Sequence, residues 1–225
     1  MIRTVIFDID NTLYDCIGID RAVTREVLVP YLENAFGWSE REYLTRLGKA
    51  TQEMIDNAGC NGSCRNRLIR YQLMLERAGL PIYPHALTLY ELYWKEMLRR
   101  MTPYDGAAEV MAALRKRGIR IGIGTDLTSE IQYRKLYRLG LIQYVDFIVT
   151  SEEASVEKPA ELFFRHCLEK ARCAPEECLF VGDVIAKDYQ GAVSAGMQAV
   201  WFNSRSEPEK PGIKKITDLS ELLDM

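Results

Sequence analysis

The sequence is poor in histidine, in net charge and in long apolar runs, and each shortage excludes a class of protein. Its only histidines are His85 and His166, so a zinc site built on Cys60 and Cys64 would need ligands from distant parts of the chain. A formal net charge of -3 gives no electrostatic basis for binding nucleic acid or an anionic membrane. No window approaches the run of about 20 apolar residues that a membrane-spanning helix needs.

Cysteine is too sparse for a small disulfide-stabilised scaffold. Six cysteines are spread over 225 residues, a density that favours a reduced, cytoplasmic protein. Arg3 is followed at once by a strand pattern that contains acidic residues, so we expect no secretory signal. With 48% hydrophobic and 27% charged residues, the chain has the composition of a soluble protein with a sizeable core.

The first apolar run, residues 4–7, is typical of a strand that is buried on both faces. It ends in two carboxylates, Asp8 and Asp10, which are separated by one residue. Because a buried charge is costly unless it is paired or coordinated, these carboxylates indicate a metal-dependent site. Taken alone, the pattern fits two acids in an ordinary loop equally well.

After Tyr14 the pattern is helical for roughly eighty residues. Pro30 is expected to kink the first helix, which should end at Gly37, and a later helix should end at Gly79. The last helix of this segment carries an apolar stripe that is expected to be core, formed by Leu87, Tyr90, Trp94, Met97 and Met101.

From Pro103 onward, helix and strand patterns alternate. Helices separate four further predicted strands, at residues 119–123, 147–150, 179–181 and 199–202. Such alternation implies right-handed crossovers and a parallel sheet with helices on both faces, which is an α/β fold.

Polar residues follow four of the predicted strands. In chain order they are Asp8 and Asp10, Thr125 and Asp126, Lys158, and Asp183 with Asp188. In open parallel sheets, ligands bind beyond the carboxyl ends of the strands. Each residue taken singly has an ordinary explanation, as a helix cap or a solvated charge, but their coincidence at one edge favours a functional site.

These residues resemble the motifs of the haloacid dehalogenase superfamily of hydrolases, specifically its phosphatase branch. The resemblance covers nearly the whole chain and comprises D-x-D-x-T from Asp8, Thr125, Lys158 before a proline, and G-D-x4-D from Gly182. The helical segment falls where this family inserts a cap. The resemblance therefore implies a three-layer Rossmann-like core of residues 1–14 and 102–225, with an all-helical cap domain at residues 15–101.

The resemblance also implies how the first motif works. Asp8 would attack the phosphoryl group and form an aspartyl-phosphate. Asp10 would protonate the leaving alkoxide and then activate the attacking water. Dehalogenases of the superfamily lack the second aspartate, so Asp10 argues against dehalogenation. Tyr14 would lie at the hinge between core and cap, near the leaving group.

The cofactor that the resemblance implies is Mg²⁺. Its ligands would be Asp8, the main-chain carbonyl of Asp10 and Asp183, with Asp188 in support.

Substrate contacts are expected from Thr125, Asp126 and Lys158 in the core and from Lys49 in the cap. Arg46, Arg65, Arg67 and Arg70 of the cap are further candidates. For any single cap cation, a solvated helix face is the commoner explanation.

Some positions depart from the family pattern. Asn11 stands where many relatives have glycine and is expected to adopt a turn conformation. Lys187 is expected to face solvent rather than to perturb the outer shell of the metal. Asp126 is expected to cap the next helix, where Ser129 and Gln132 should form a capping box.

The predicted function is that of a Mg²⁺-dependent phosphatase of a small phosphomonoester, such as a nucleoside monophosphate, a sugar phosphate or phosphoglycolate. We expect a cytoplasmic monomer or weak homodimer with a small phosphorylated metabolite as its partner. Two alternatives stay open. One is a phosphomutase related to β-phosphoglucomutase, and the other is a binding or regulatory protein that keeps the fold without turnover.

Overall fold

The computed structural model describes residues 1–58 and 62–225, which contain a six-stranded sheet covered by helices. Its strands are β1 (Thr4–Phe7), β2 (Arg120–Thr125), β3 (Phe147–Thr150), β4 (Cys178–Gly182), β5 (Gln198–Phe202) and β6 (Lys215–Ile216). The strand order is β3-β2-β1-β4-β5-β6, and all five pairings are parallel. The predicted α/β fold is therefore confirmed, and β6 is the strand that the sequence pattern did not indicate.

The strand β1 lies between β2 and β4, and its side chains alternate between two apolar cores. Val5 and Phe7 pack into one core, whereas Ile6 packs into the other. All three side chains are at most 2% exposed. Both faces of β1 are therefore covered, as the sequence predicted.

The two cores lie on opposite faces of the sheet and define three layers. The first core includes apolar residues of α6 (Ala107–Lys116) and α7 (Ser129–Arg138). The second includes residues of α9 (Glu161–Ala171) and α10 (Gln190–Ser194), while the short α8 (Ser151–Ala154) directly follows β3. Among the described residues, no helix combines the length and apolarity needed to cross a bilayer.

Five α-helices of the described chain lie between β1 and α6. They are α1 (Cys16–Val23), α2 (Val29–Phe36), α3 (Glu40–Ala58), α4 (Arg67–Glu76) and α5 (His85–Arg100). Their apolar residues continue the first core, so the insertion shares its interior with the sheet. This is the helical insertion expected of a cap, although the boundaries at residues 15 and 101 stay predictions.

A kink was predicted at Pro30, and the structure has a stretch of π-helix just before it. Residues Thr24–Leu28 form it between α1 and α2, and Pro30 lies in the first turn of α2. Leu28 and Val29 keep helical φ and ψ values, so Pro30 removes one main-chain donor inside a continuous helical segment. Gly37 and Gly79 end their helices with left-handed φ values of 70° and 67°.

The apolar stripe predicted on α5 is correct at its end and wrong at its start. Trp94, Met97 and Met101 are buried, but Leu87 is 46% exposed. Leu89, which the stripe left out, is fully buried. Leu89 belongs to the core that α5 shares with α1 and α4, and α5 packs against both of these helices.

The two leucines allow a matched test of this packing. Leu89→Ala is expected to lower the free energy of unfolding by about 2–5 kcal/mol, because it leaves a cavity in the shared core. The same change at Leu87 should cost less than about 1 kcal/mol, because that side chain is largely solvated. Urea denaturation of both variants measures the difference, and equal losses would contradict the packing of α5.

Candidate active site

The carboxyl ends of β1, β2 and β4 meet around one cavity of about 380 Å³. Its lining includes every predicted site residue of the core, together with Lys187 and with one residue of the helical insertion, Arg65. The predicted residues are Asp8, Asp10, Thr125, Asp126, Lys158, Asp183 and Asp188. A larger cavity of about 520 Å³ lies at the amino ends of β1 and β2 and is lined in part by the start of the chain. It holds none of the motif residues, so the smaller, acidic cavity is the candidate site.

The turn after β1 fixes the two aspartates of the first motif. The main-chain N–H of Asp8 donates to Val181 O at 2.9 Å, which extends the sheet pairing by one residue. Asn11 has a φ of 59°, which is the turn conformation expected of it. Its Oδ1 accepts a hydrogen bond from the Ile17 N–H at 3.0 Å, so the turn is tied to the start of α1.

Lys158 is the cation that faces the predicted nucleophile. Its Nζ lies 2.9 Å from Asp8 Oδ1 and 2.7 Å from Asp188 Oδ1, and it donates to Gly124 O at 3.2 Å. Burial lowers the pKa of Lys158, but the adjacent carboxylates of Asp188 and Asp8 outweigh burial and raise it. These contacts favour the positively charged form of Lys158 beside Asp8.

Three buried carboxylates form a group with the spacing of a metal site. Asp8, Asp183 and Asp188 each offer an oxygen, and these oxygens lie within 4.8 Å of one another. Burial, together with repulsion from neighbouring carboxylates, raises the pKa of Asp8 to about 8 and that of Asp183 to about 6. Carboxylate oxygens suit Mg²⁺, and a divalent cation would relieve this repulsion. The donor set therefore fits the predicted cofactor.

The other groups that contact these carboxylates limit their freedom. Asp183 accepts a hydrogen bond from Arg205 at 3.1 Å, and its main-chain carbonyl accepts one from Trp201 Nε1 at 3.0 Å. Asp188 accepts from the Val184 N–H at 2.9 Å. Gly182 makes this approach possible, because a Cβ there would lie 2.4 Å from the Asp188 carboxyl carbon.

Lys135 is a site residue that the sequence reasoning missed. This buried lysine of α7 donates to both carboxylate oxygens of Asp10, at 2.7 and 2.8 Å, and the Tyr14 hydroxyl donates to Oδ1 at 2.6 Å. Burial raises the pKa of Asp10, but Lys135 and Tyr14 bring it below its ordinary value. The available signal was the pattern of α7, in which Gln132 and Lys135 share a face with the apolar Ile131.

The capping box predicted at the start of α7 is wrong. Thr128 occupies the N-cap position, and the Ser129 hydroxyl bonds to that of Thr150 at 2.7 Å. The Gln132 side chain instead donates to Thr125 Oγ1 at 2.7 Å and to Asp126 O at 2.6 Å. Gln132 thus orients the Thr125 hydroxyl. Its side chain bonds to residues before the helix instead of to the first turn of the helix.

Asp126 was expected to cap the next helix, and Lys187 was expected to face solvent. The structure instead places both in an ion-pair network. Asp126 accepts from the Lys158 N–H at 3.1 Å and from Lys187 Nζ at 2.9 Å. Lys187 also contacts the buried Glu157 at 3.2 Å. Arg65 completes the network with two hydrogen bonds to Glu157, at 2.6 and 2.8 Å. The buried carboxylate of Glu157 accounts for this arrangement, since it needs cations as partners.

The structure brings Arg65 to the cavity and places the other candidate cap cations elsewhere. Lys49 is exposed on α3 and does not line the cavity within the described part of the chain. Arg46 lies over the Trp38 ring, Arg67 bonds to Asp20 and Tyr93, and Arg70 donates to Cys64 O. Cys60 lies outside the described residues, and the Cys64 thiol is 3.5 Å from Glu157 Oε1.

Comparison with known proteins agrees with this geometry. A family model of haloacid dehalogenase-like hydrolases matches residues 2–196. The chain belongs to this family. This match confirms the predicted superfamily. Together with the phosphatase relatives described next, it also confirms the predicted enzyme class, a phosphoric monoester hydrolase.

Two curated relatives are similar over essentially their whole length. The ribulose-1,5-bisphosphate 5-phosphatase of Halopiger xanaduensis is 31% identical over 237 residues, covering 100% of this chain and 99% of the relative. The glyceraldehyde 3-phosphate phosphatase of Methanothermobacter thermautotrophicus is 28% identical over 233 residues, covering 100% of both. A 2-haloacid dehalogenase from Pseudomonas syringae has the same fold, with a TM-score of 0.77 at 22% identity and coverage of 100% and 97%.

Gly182→Ala tests the acidic cluster independently of turnover. The added Cβ would displace Asp188, so the affinity for Mg²⁺ should fall roughly 10–100-fold. The readout is the rise in melting temperature that Mg²⁺ causes, with the metal-free melt as the check on folding. Gly48→Ala is the matched control, because an added Cβ there meets no described atom within 4 Å. An unchanged Mg²⁺ response in a folded Gly182→Ala protein would remove Asp188 from the site.

Proposed function

We propose that this enzyme is a Mg²⁺-dependent phosphatase that hydrolyses a small phosphorylated metabolite through an aspartyl-phosphate on Asp8. The observation that carries the proposal is the pairing of Asp8 with Lys158 at 2.9 Å beside the acidic cluster. An oriented carboxylate between a fixed ammonium group and a metal site is an activated nucleophile for a phosphoryl group. Asp10, two residues further on, supplies the proton transfer that a dehalogenase would not need.

The first step transfers the phosphoryl group to the enzyme. An Asp8 oxygen forms a bond to phosphorus while the bond from phosphorus to the leaving oxygen breaks. Because Lys135 and Tyr14 favour the carboxylate form of Asp10, Asp10 takes up a proton from solvent before this step and then gives it to the leaving oxygen. Lys158 and the Thr125 hydroxyl, which Gln132 orients, stabilise the phosphoryl oxygens. Asp8, Asp183 and the Asp10 main-chain carbonyl would hold Mg²⁺, with Asp188 in support, and the bound ion would supply further positive charge for the transition state.

The second step releases inorganic phosphate. Asp10, now a carboxylate, takes a proton from a water molecule that attacks phosphorus. The bond between phosphorus and the Asp8 oxygen breaks, so both aspartates return to their starting states. A phosphomutase would instead return the phosphoryl group to a sugar, and release of phosphate is what distinguishes the two reactions.

Within this class we propose a sugar phosphate or a similar phosphorylated metabolite of few carbons as the substrate. Two relatives over the whole chain are named for ribulose 1,5-bisphosphate and glyceraldehyde 3-phosphate. The cavity of about 380 Å³ has room for a molecule of this size. Arg65 lines it from the insertion, which supports a cap of residues 15–101 that closes over the substrate.

Asp8→Asn is expected to abolish turnover, because the amide is a poor nucleophile and does not serve as an anionic metal ligand. The measurement is phosphate release from an aryl phosphate with Mg²⁺ and with excess chelator. Wild-type activity should disappear in chelator and return with Mg²⁺. Glu176→Gln, at an exposed position that does not line the cavity, is the control. Metal-independent turnover, or an active Asp8→Asn enzyme, would overturn the mechanism.

A screen of phosphate release over sugar phosphates, phosphoserine, phosphoglycolate and nucleoside monophosphates tests the substrate class. We expect kcat/KM to be highest for a sugar phosphate of three to five carbons, by at least about tenfold over nucleotides, since one added group in a pocket is worth roughly 10–200-fold. Equal values across the panel would contradict selection by the cavity. Stoichiometric transfer to a sugar, with no free phosphate, would indicate the mutase.

A further inference from the structure

The ammonium group of Lys135 is buried and has few partners. Its side chain is 2% exposed, and its Nζ reaches both oxygens of Asp10. The rings of Trp94 and Tyr14 face the same Nζ, with centroids 5.6 and 5.9 Å away. Removing an ammonium group from water costs several kcal/mol, so this position needs its carboxylate partner. The pair therefore fixes both side chains.

Asp10 depends on this pair for its orientation. Its side chain is 28% exposed and lines the cavity, close to the acidic cluster. The Tyr14 hydroxyl also donates to Asp10, but to Oδ1 alone, and Cys16 contributes a further side-chain hydrogen bond. Without Lys135, repulsion from the neighbouring carboxylates would favour other staggered rotamers of Asp10.

We propose that Lys135 is a positioning residue that holds the Asp10 carboxyl group toward the leaving oxygen of the substrate. The inference rests on the proposed function and deepens it. Among the described residues that line the cavity, Asp10 is present and Lys135 is absent, so Lys135 acts through Asp10 rather than on the substrate. No proton leaves Lys135: Asp10 gives its proton to the leaving oxygen, and the resulting carboxylate stays paired with the ammonium group.

This assignment predicts which substrates depend on Lys135. An alkoxide leaving group needs a proton from Asp10, whereas a nitrophenolate leaves without one. Misplacing Asp10 should therefore slow the hydrolysis of an alkyl phosphate far more than that of p-nitrophenyl phosphate. The relevant quantity is kcat/KM, because it reports the step in which the leaving group departs rather than hydrolysis of the intermediate.

The test is Lys135→Met, which keeps most of the length of the side chain and removes the charge. For glyceraldehyde 3-phosphate or the best alkyl substrate, kcat/KM should fall at least about 30-fold, within the roughly 10²–10⁴-fold range of acid–base catalysis. For p-nitrophenyl phosphate it should fall less than about threefold, as the same principle requires. Lys95→Met, at an exposed position of α5, is the matched control and should change neither value.

A double-mutant cycle with Asp10→Asn separates positioning from a structural role. If Lys135 acts through Asp10, then adding Lys135→Met to Asp10→Asn should leave the alkyl-to-aryl ratio unchanged. If Lys135 had only a structural role, Lys135→Met would lower kcat/KM equally for both substrates. That loss would then add to the loss caused by Asp10→Asn. Either of these results would overturn the inference.

Two further outcomes have defined meanings. If Lys135→Met does not fold, Tyr14→Phe removes the Tyr14 bond to Oδ1 and should shift the same ratio in the same direction; an unchanged ratio overturns the inference. If the wild-type enzyme releases no phosphate from either substrate, the proposed function fails and the role of Lys135 fails with it. An active, Mg²⁺-dependent wild type with an unaltered ratio in Lys135→Met contradicts the positioning role alone.

Discussion

The site depends on the balance between buried carboxylates and the two buried lysines that face them. Asp8, Asp183 and Asp188 crowd together at the carboxyl ends of β1 and β4, where burial and mutual repulsion raise the pKa values of Asp8 and Asp183. Lys158 offsets part of this charge at Asp8 and Asp188, and Lys135 does so at Asp10. The negative charge that remains suits a divalent cation, and the fixed lysines give the two aspartates of the first motif different surroundings.

The parallel sheet is what makes this arrangement predictable from sequence. Residues that follow the ends of neighbouring parallel strands must meet at one edge, so strand patterns and polar residues after them suffice to gather Asp8, Thr125, Lys158 and Asp183. The same local reasoning found the turn at Asn11, because asparagine tolerates a left-handed φ. The α/β class, the helical insertion and the core of the site were accessible for this reason.

Interactions between distant segments were not accessible in the same way. Lys135 lies 125 positions after Asp10, and Lys187 is 61 positions after Asp126. A pattern of neighbouring residues contains no information about such pairs, so Lys187 was assigned to solvent. On α5 the choice between Leu87 and Leu89 depended on which helices pack alongside, which the periodicity of one helix does not specify.

The central claim is that Asp8 becomes covalently phosphorylated, and chemical trapping of that bond tests it most directly. Acid quenching during turnover, followed by borohydride, reduces an aspartyl-phosphate to homoserine, and peptide mass spectrometry then locates the change. The account predicts homoserine at position 8 in enzyme quenched with Mg²⁺ and substrate, and unmodified aspartate without substrate. Rapid phosphate release with Asp8 unmodified at every quench time, or modification at another carboxylate, would contradict it.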